Sequence, residues 1–133
     1  MGKTNILTVL TVTVLQIIVG YLWYSSYFFG DVMSVGGHGV DFLKTDVLSL
    51  LLVILSSFGL TSIFGMLIKT IGVKDVGGGL KLGLTVGTFA IGLPVVTLLN
   101  YMGFGKIMLL VVLIHMILVG VITSLVVLKL KKA

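Results

Sequence analysis

Apolar residues are gathered into four long blocks, and short polar stretches separate the blocks from one another. The blocks cover residues 6–29, 47–68, 80–101 and 107–128. None of them contains Asp, Glu or Arg, and the one Lys, Lys81, stands at the start of the third. A helix needs about 20 apolar residues to cross the hydrocarbon core of a bilayer. Each block is therefore long enough to form a membrane-spanning helix.

Two strand-based alternatives do not fit this pattern. Strands are about 4–8 residues long, and each block is about three times that length. A lipid-facing barrel alternates apolar and polar residues, whereas residues 50–55 and 109–114 are apolar throughout. The pattern predicts an all-α, integral membrane four-helix bundle formed by a single domain, residues 1–133. Because the connections are short, we expect two antiparallel hairpins, with residues 72–79 as a Gly-rich loop before the third helix.

The composition supports a membrane protein. Hydrophobic residues make up 58% of the chain and charged residues 10%, against about 25% charged in a soluble domain. This leaves too few polar side chains to cover a water-soluble globule. The chain has no Cys, which excludes disulfides and metal sites built on thiolates.

Lysine supplies all nine positive charges, and its distribution predicts the orientation. Lys44 and Lys106 fall on the face that also carries Asp31, Asp41 and Asp46. The other seven lie before the first helix, between the second and third, and after the fourth: Lys3, Lys69, Lys74, Lys81, Lys129, Lys131 and Lys132. Under the positive-inside rule both termini are cytoplasmic in the cell membrane, and any homo-oligomer is parallel. Dispersed Lys residues give no basic patch for nucleic acid.

Small residues recur at intervals of four on the second and third helices, and such rows let helices approach closely in a membrane. The rows are Ser57, Thr61 and Gly65 on the second helix and Gly79, Gly83 and Gly87 on the third. We expect the two rows to face each other within one chain. The alternative is a self-association face between protomers.

A few polar residues lie at membrane depth and are candidates for one polar layer. They are Gln16, Ser56, Ser57 and His115. Pro94 has no N–H group and frees the carbonyl of Ala90 at a similar depth. His115 is either a functional ligand or proton acceptor, or a structural histidine that fixes helix register. With one His and no carboxylate in the spans, no metal site is expected, and nothing else in the sequence supports haem or another cofactor.

Aromatic residues cluster at the outer end of the first helix. Trp23, Tyr24 and Tyr27 fall on one helical face with Gln16 and Gly20. They form either an aromatic belt at the lipid headgroups or an aromatic-lined cavity for a cationic or flat ligand.

No catalytic constellation is visible in the sequence. Asp31, His38, Asp41 and Asp46 match no coordination spacing and are interpreted as solvated loop residues. Nucleophile-elbow, phosphate-loop and HExxH patterns are all missing. An enzyme is therefore not predicted.

The segment Gly20-Tyr-Leu-Trp-Tyr-Ser25, followed by Phe29-Gly30, resembles an uncharacterised bacterial family, number 1761 among the domains of unknown function. The likeness continues through residues 79–128 in the Gly-rich third helix, its Pro and the His-bearing fourth helix. The resemblance implies a four-helix membrane protein of about this length and no particular activity. Ser26 replaces the Pro expected there, and the outer loop is shorter and less acidic than in that family.

Three functions remain open at this point. The first is a small transporter or channel that works as a parallel homo-oligomer. The second is a structural or accessory subunit of a larger membrane complex. The third, a membrane enzyme or haem carrier, has only His115 in its favour.

Overall fold

Four helices account for nearly all of residues 6–23 and 47–130, the part of the chain that the computed structural model describes. They are α1 (Ile6–Trp23), α2 (Val47–Ile71), α3 (Val76–Tyr101) and α4 (Lys106–Leu130). Each is long and apolar enough to cross a bilayer. Two short turns make up the rest of the described residues. The predicted all-α, four-helix class is confirmed.

The third helix begins earlier than the sequence pattern predicts. Asp75 caps its N-terminus, and the side chain accepts a hydrogen bond of 2.9 Å from the backbone N–H of Gly78. Gly77, Gly78 and Gly79 therefore lie in the first turn of α3 and not in a loop. A cap of this kind stabilises a helix by about 0.5–2 kcal/mol, which offsets the poor helix propensity of glycine.

Both turns depend on a glycine with positive φ. After α2, Gly72 has φ +80°, and the N–H groups of Gly72 and Val73 both donate to the carbonyl of Ile68. After α3, Gly103 has φ +84°. A residue with a Cβ atom is strained in this region of backbone space. The two glycines thus allow α2, α3 and α4 to follow one another with only a few connecting residues.

Helix α4 is the centre of the bundle and the most buried of the four. It contacts all three other helices, while α1 also packs against α2. One apolar cluster joins α2 to α4 near their C-termini and consists of Phe64, Ile68, Val127 and Leu128. A second cluster, near the N-terminus of α4, contains Met108, Val111 and Val112. The result is two helix pairs, α1–α2 and α3–α4, which are joined because α4 also packs against α1 and α2.

A π-helical segment interrupts α3 just before its proline. Residues Val86–Gly92 form this wider turn, and the N–H of Leu93 donates to the carbonyl of Thr88, five residues earlier. A proline ring inside a helix clashes with the carbonyl four residues before it, and a wider turn removes the clash. Pro94 itself is exposed. It therefore shapes α3 and does not pack against another helix.

Candidate functional site

The glycine row of α3 lies against α4, with the two backbones in contact. A Cβ atom added to Gly83 would lie 2.6 Å from the Cα of Val121 and 2.9 Å from the carbonyl oxygen of Gly120. A Cβ atom on Gly87 would lie 3.0 Å from the Cα of Ile117. The hydroxyl of Ser124 donates a 2.7 Å hydrogen bond to the carbonyl of Gly79 across the same interface.

The predicted pairing of this row with the row on α2 is wrong. Helices α2 and α3 have few direct contacts, and the residues that meet Gly79, Gly83 and Gly87 all belong to α4. Gly120 and Ser124 are the partners that the sequence analysis missed. Their spacing of four residues repeats the pattern already recognised on α2 and α3, so the signal was present in the sequence.

The α2 row faces the interior formed with α1 and α4. Ser57 is completely buried and Thr61 is 4% exposed. Gly65 lies next to α4, where an added Cβ atom would be 3.9 Å from Cγ1 of Val127, an ordinary contact distance. Small side chains on α2 therefore leave room for neighbouring side chains, whereas those on α3 bring two backbones together.

Three polar atoms in this interior have no hydrogen-bond partner among the described residues. They are Nε2 of Gln16 on α1 and the hydroxyl oxygens of Ser57 and Thr61 on α2. Two other buried hydroxyls are satisfied within their own helices: Thr13 donates to Val9 and Thr123 donates to Val119. A buried polar group without a partner costs about 1–3 kcal/mol. These three atoms are therefore available for a bound solute or water.

Ser56 does not belong to this interior. It precedes Ser57, the first residue of the buried row, by one position and is exposed on the outer surface of α2. Adjacent residues on a helix point about 100° apart, so only one of Ser56 and Ser57 can face the core. Of the four residues predicted to form one layer, Ser57 and His115 are buried and Gln16 is half-buried.

Trp23 and His115 meet at the end of the same interior. Their rings stack with a centroid distance of 6.1 Å and an interplanar angle of 23°. The indole N–H of Trp23 also donates a 3.1 Å hydrogen bond to the carbonyl of Val111. Trp23 therefore contacts His115 and α4, and it is not only part of an aromatic belt at the membrane surface. Tyr24 and Tyr27, the other predicted aromatic residues, lie outside the described residues.

Helix geometry gives the relative depths of these groups. Trp23, the last described residue of α1, lies level with Val111 near the start of α4, and α1 extends from there along α4, with which it is in contact. At about 1.5 Å per residue, His115 lies about 6 Å below that level and Gln16 about 10 Å. Phe64 and Val127 belong to one apolar cluster, and taking them as level places Ser57 at about 13 Å and Thr61 at about 20 Å by the same rule.

These four residues, His115, Gln16, Ser57 and Thr61, form an axial series that we call the polar file. The predicted layer is therefore extended along the bundle, and it includes Thr61, for which the sequence pattern predicts only a role in helix packing. No group of three or more His, Asp or Glu residues that could hold a metal ion occurs within the described part of the chain. All four side chains of the file can form hydrogen bonds.

No protein-family model matches the chain, and neither does any curated protein or solved structure. The resemblance to the bacterial family therefore stays a prediction. Function has to be argued from the polar file and the packing around it.

Proposed function

We propose that this multi-pass membrane protein is a small transporter or channel whose solute passes along the polar file. The observation that supports this most directly is the set of three buried polar atoms without a partner in the described structure, on Gln16, Ser57 and Thr61. Hydrocarbon offers such atoms no hydrogen bond, so an unsatisfied polar atom in the membrane raises the free energy of the folded protein. A solute or water that enters the file would supply the missing partners.

The distribution of Lys supports a single orientation for this transporter. Lys69 and Lys129 end α2 and α4 at the same end of the bundle, and Lys74 lies in the turn beside them. Under the positive-inside rule this end is cytoplasmic, as are both termini. A homo-oligomer of such chains is parallel.

The orientation can be tested by labelling single introduced cysteines, and background labelling is low because the chain has no Cys. A cysteine placed at Lys74 should resist a membrane-impermeant maleimide in intact cells, and one placed at Met102 in the opposite turn should react. The reverse labelling pattern would contradict the proposed orientation.

Transport is tested with the purified full-length chain in liposomes. Solute entry should depend on the protein and should slow in Ser57→Ala, because this change removes a buried hydroxyl of the file. Ser56→Ala is the matched control, since it removes an exposed hydroxyl from the neighbouring position of the same helix.

The proposal fails if neither solutes nor ions cross faster with the protein present than without it. In that case a discrete complex with another membrane protein, isolated in mild detergent, would favour the accessory-subunit function instead.

A further inference from the structure

We infer that the solute of the polar file is a small uncharged molecule bearing hydroxyl or amide groups, with water as the smallest of this class. The inference rests on the proposed transport function and specifies its substrate. It follows from which groups line the file and which groups are kept away from it.

The partnerless atoms of the file belong to one amide and two hydroxyls. The Gln16 amide nitrogen is a donor, and the Ser57 and Thr61 hydroxyls both donate and accept. Hydroxyl and amide groups on a solute have the same dual character. Each atom can therefore bond such a solute without a charge on either side.

Charged side chains of the described residues stay away from the file. All of them are exposed, and all lie near the ends of the helices: Lys69, Lys74, Asp75, Lys81, Lys106 and Lys129. An ion that left water for the interior would lose its hydration and meet no opposite charge there. An uncharged solute exchanges hydrogen bonds to water for hydrogen bonds to the file, so its entry carries no such penalty.

The spacing along the file also suits a small solute. Neighbouring members are about 3–7 Å apart along the bundle axis. A single solute oxygen that bonds two members bridges polar atoms up to about 6 Å apart, because each hydrogen bond joins heavy atoms about 2.8 Å apart. Water can bridge two members in this way, and urea or glycerol can do so with one or several of its polar atoms.

The test measures glycerol and urea entry by stopped-flow light scattering from liposomes that hold the full-length chain. Thr61→Val removes the hydroxyl at nearly constant volume and should slow entry about fivefold, the change expected for one lost hydrogen bond. Thr61→Ser keeps the hydroxyl and should retain the rate. Gln16→Leu is a second test variant at another level of the file, and Ser56→Ala again serves as the control.

Potassium, chloride and proton fluxes are measured on the same liposomes with ion-sensitive dyes. The proton measurement tests whether His115 transfers protons across the membrane. Slow, protein-independent ion fluxes together with rapid glycerol or urea entry support the inference. The opposite result is rapid flux of an ion that Thr61→Val or Gln16→Leu blocks, together with glycerol and urea entry that does not depend on the protein. That result overturns the inference about the solute and leaves the transport function standing. If nothing crosses faster with the protein, the transport function fails as well.

Discussion

Two rows of small residues with the same spacing perform different tasks in this molecule. On α3 the row consists of glycines, and it brings the backbone within contact distance of α4. On α2 the row begins with Ser57 and Thr61, and it turns two hydroxyls into the interior shared with α1 and α4. Spacing determines that a face can pack closely. The side chain at each position then decides whether the face joins backbones or lines a polar interior.

The two interfaces also differ in how completely their polar groups are satisfied. Across α3–α4, the Ser124 hydroxyl bonds directly to the carbonyl of Gly79. In the α1–α2–α4 interior, hydroxyls of comparable burial have no partner among the described residues. We therefore expect α3–α4 to supply stability and the α1–α2–α4 interior to supply function at some cost in stability.

The largest effect is expected when a side chain is added to the glycine contact. Gly83→Ala places a Cβ atom 2.6 Å from a backbone atom of Val121, and a backbone cannot rotate aside as a side chain can. We expect a loss of about 1–3 kcal/mol in unfolding free energy. The measurement is a dodecyl sulfate titration in mixed micelles followed by circular dichroism.

Gly59→Ala is the control for this change. An added Cβ atom there has no atom within 4 Å, so the better helix propensity of alanine should raise stability by about 0.5–1 kcal/mol. Equal effects of the two changes would mean that α3 and α4 are not in backbone contact.

A smaller loss is expected when the hydrogen bond across α3–α4 is removed. Ser124→Ala eliminates the 2.7 Å bond to Gly79 and should lower the unfolding free energy by about 0.6 kcal/mol, the average measured for such bonds in a membrane protein, and by no more than about 1.7 kcal/mol, the maximum measured. Thr97→Val is the control, because its hydroxyl is exposed and bonds only within its own helix, to Leu93. If the control costs as much as Ser124→Ala, the interhelical bond is not what stabilises this interface.

The sequence predicts helices far better than it predicts helix neighbours. The absence of Asp, Glu and Arg over about 20 residues is a property of one segment, so the four spans could be recognised individually. The helix that packs against the Gly83 row could not be recognised, because the same spacing of small residues occurs on both α2 and α4. Nothing in the local sequence shows which of these two helices is the partner. Likewise, Ser56 and Ser57 are chemically identical, and only the position of α1 and α4 around α2 decides which one is buried.

Removing the hydrogen bond between α1 and α4 tests how much the α1–α2–α4 interior contributes to stability. Trp23→Phe keeps an aromatic ring against His115 and loses the indole N–H that donates to Val111. We expect a loss of about 0.5 kcal/mol, at the low end for a hydrogen bond, because Trp23 is only half-buried. Tyr21→Phe, at an exposed position of the same helix, should change nothing. A loss larger than that of Ser124→Ala would make α1–α4 the stronger interface and reverse the comparison.

No loss of stability is expected at Ser57, although this residue is as deeply buried as Ser124. The Ser57 hydroxyl has no partner in the described structure, so Ser57→Ala removes a group that contributes no hydrogen bond within the protein. The unfolding free energy should stay constant or rise by up to about 1 kcal/mol, and the same dodecyl sulfate titration measures it. Solute entry into liposomes should slow in the same variant. A loss of stability equal to that of Ser124→Ala would mean that Ser57 has a protein partner, and the polar file would then be another packed interface.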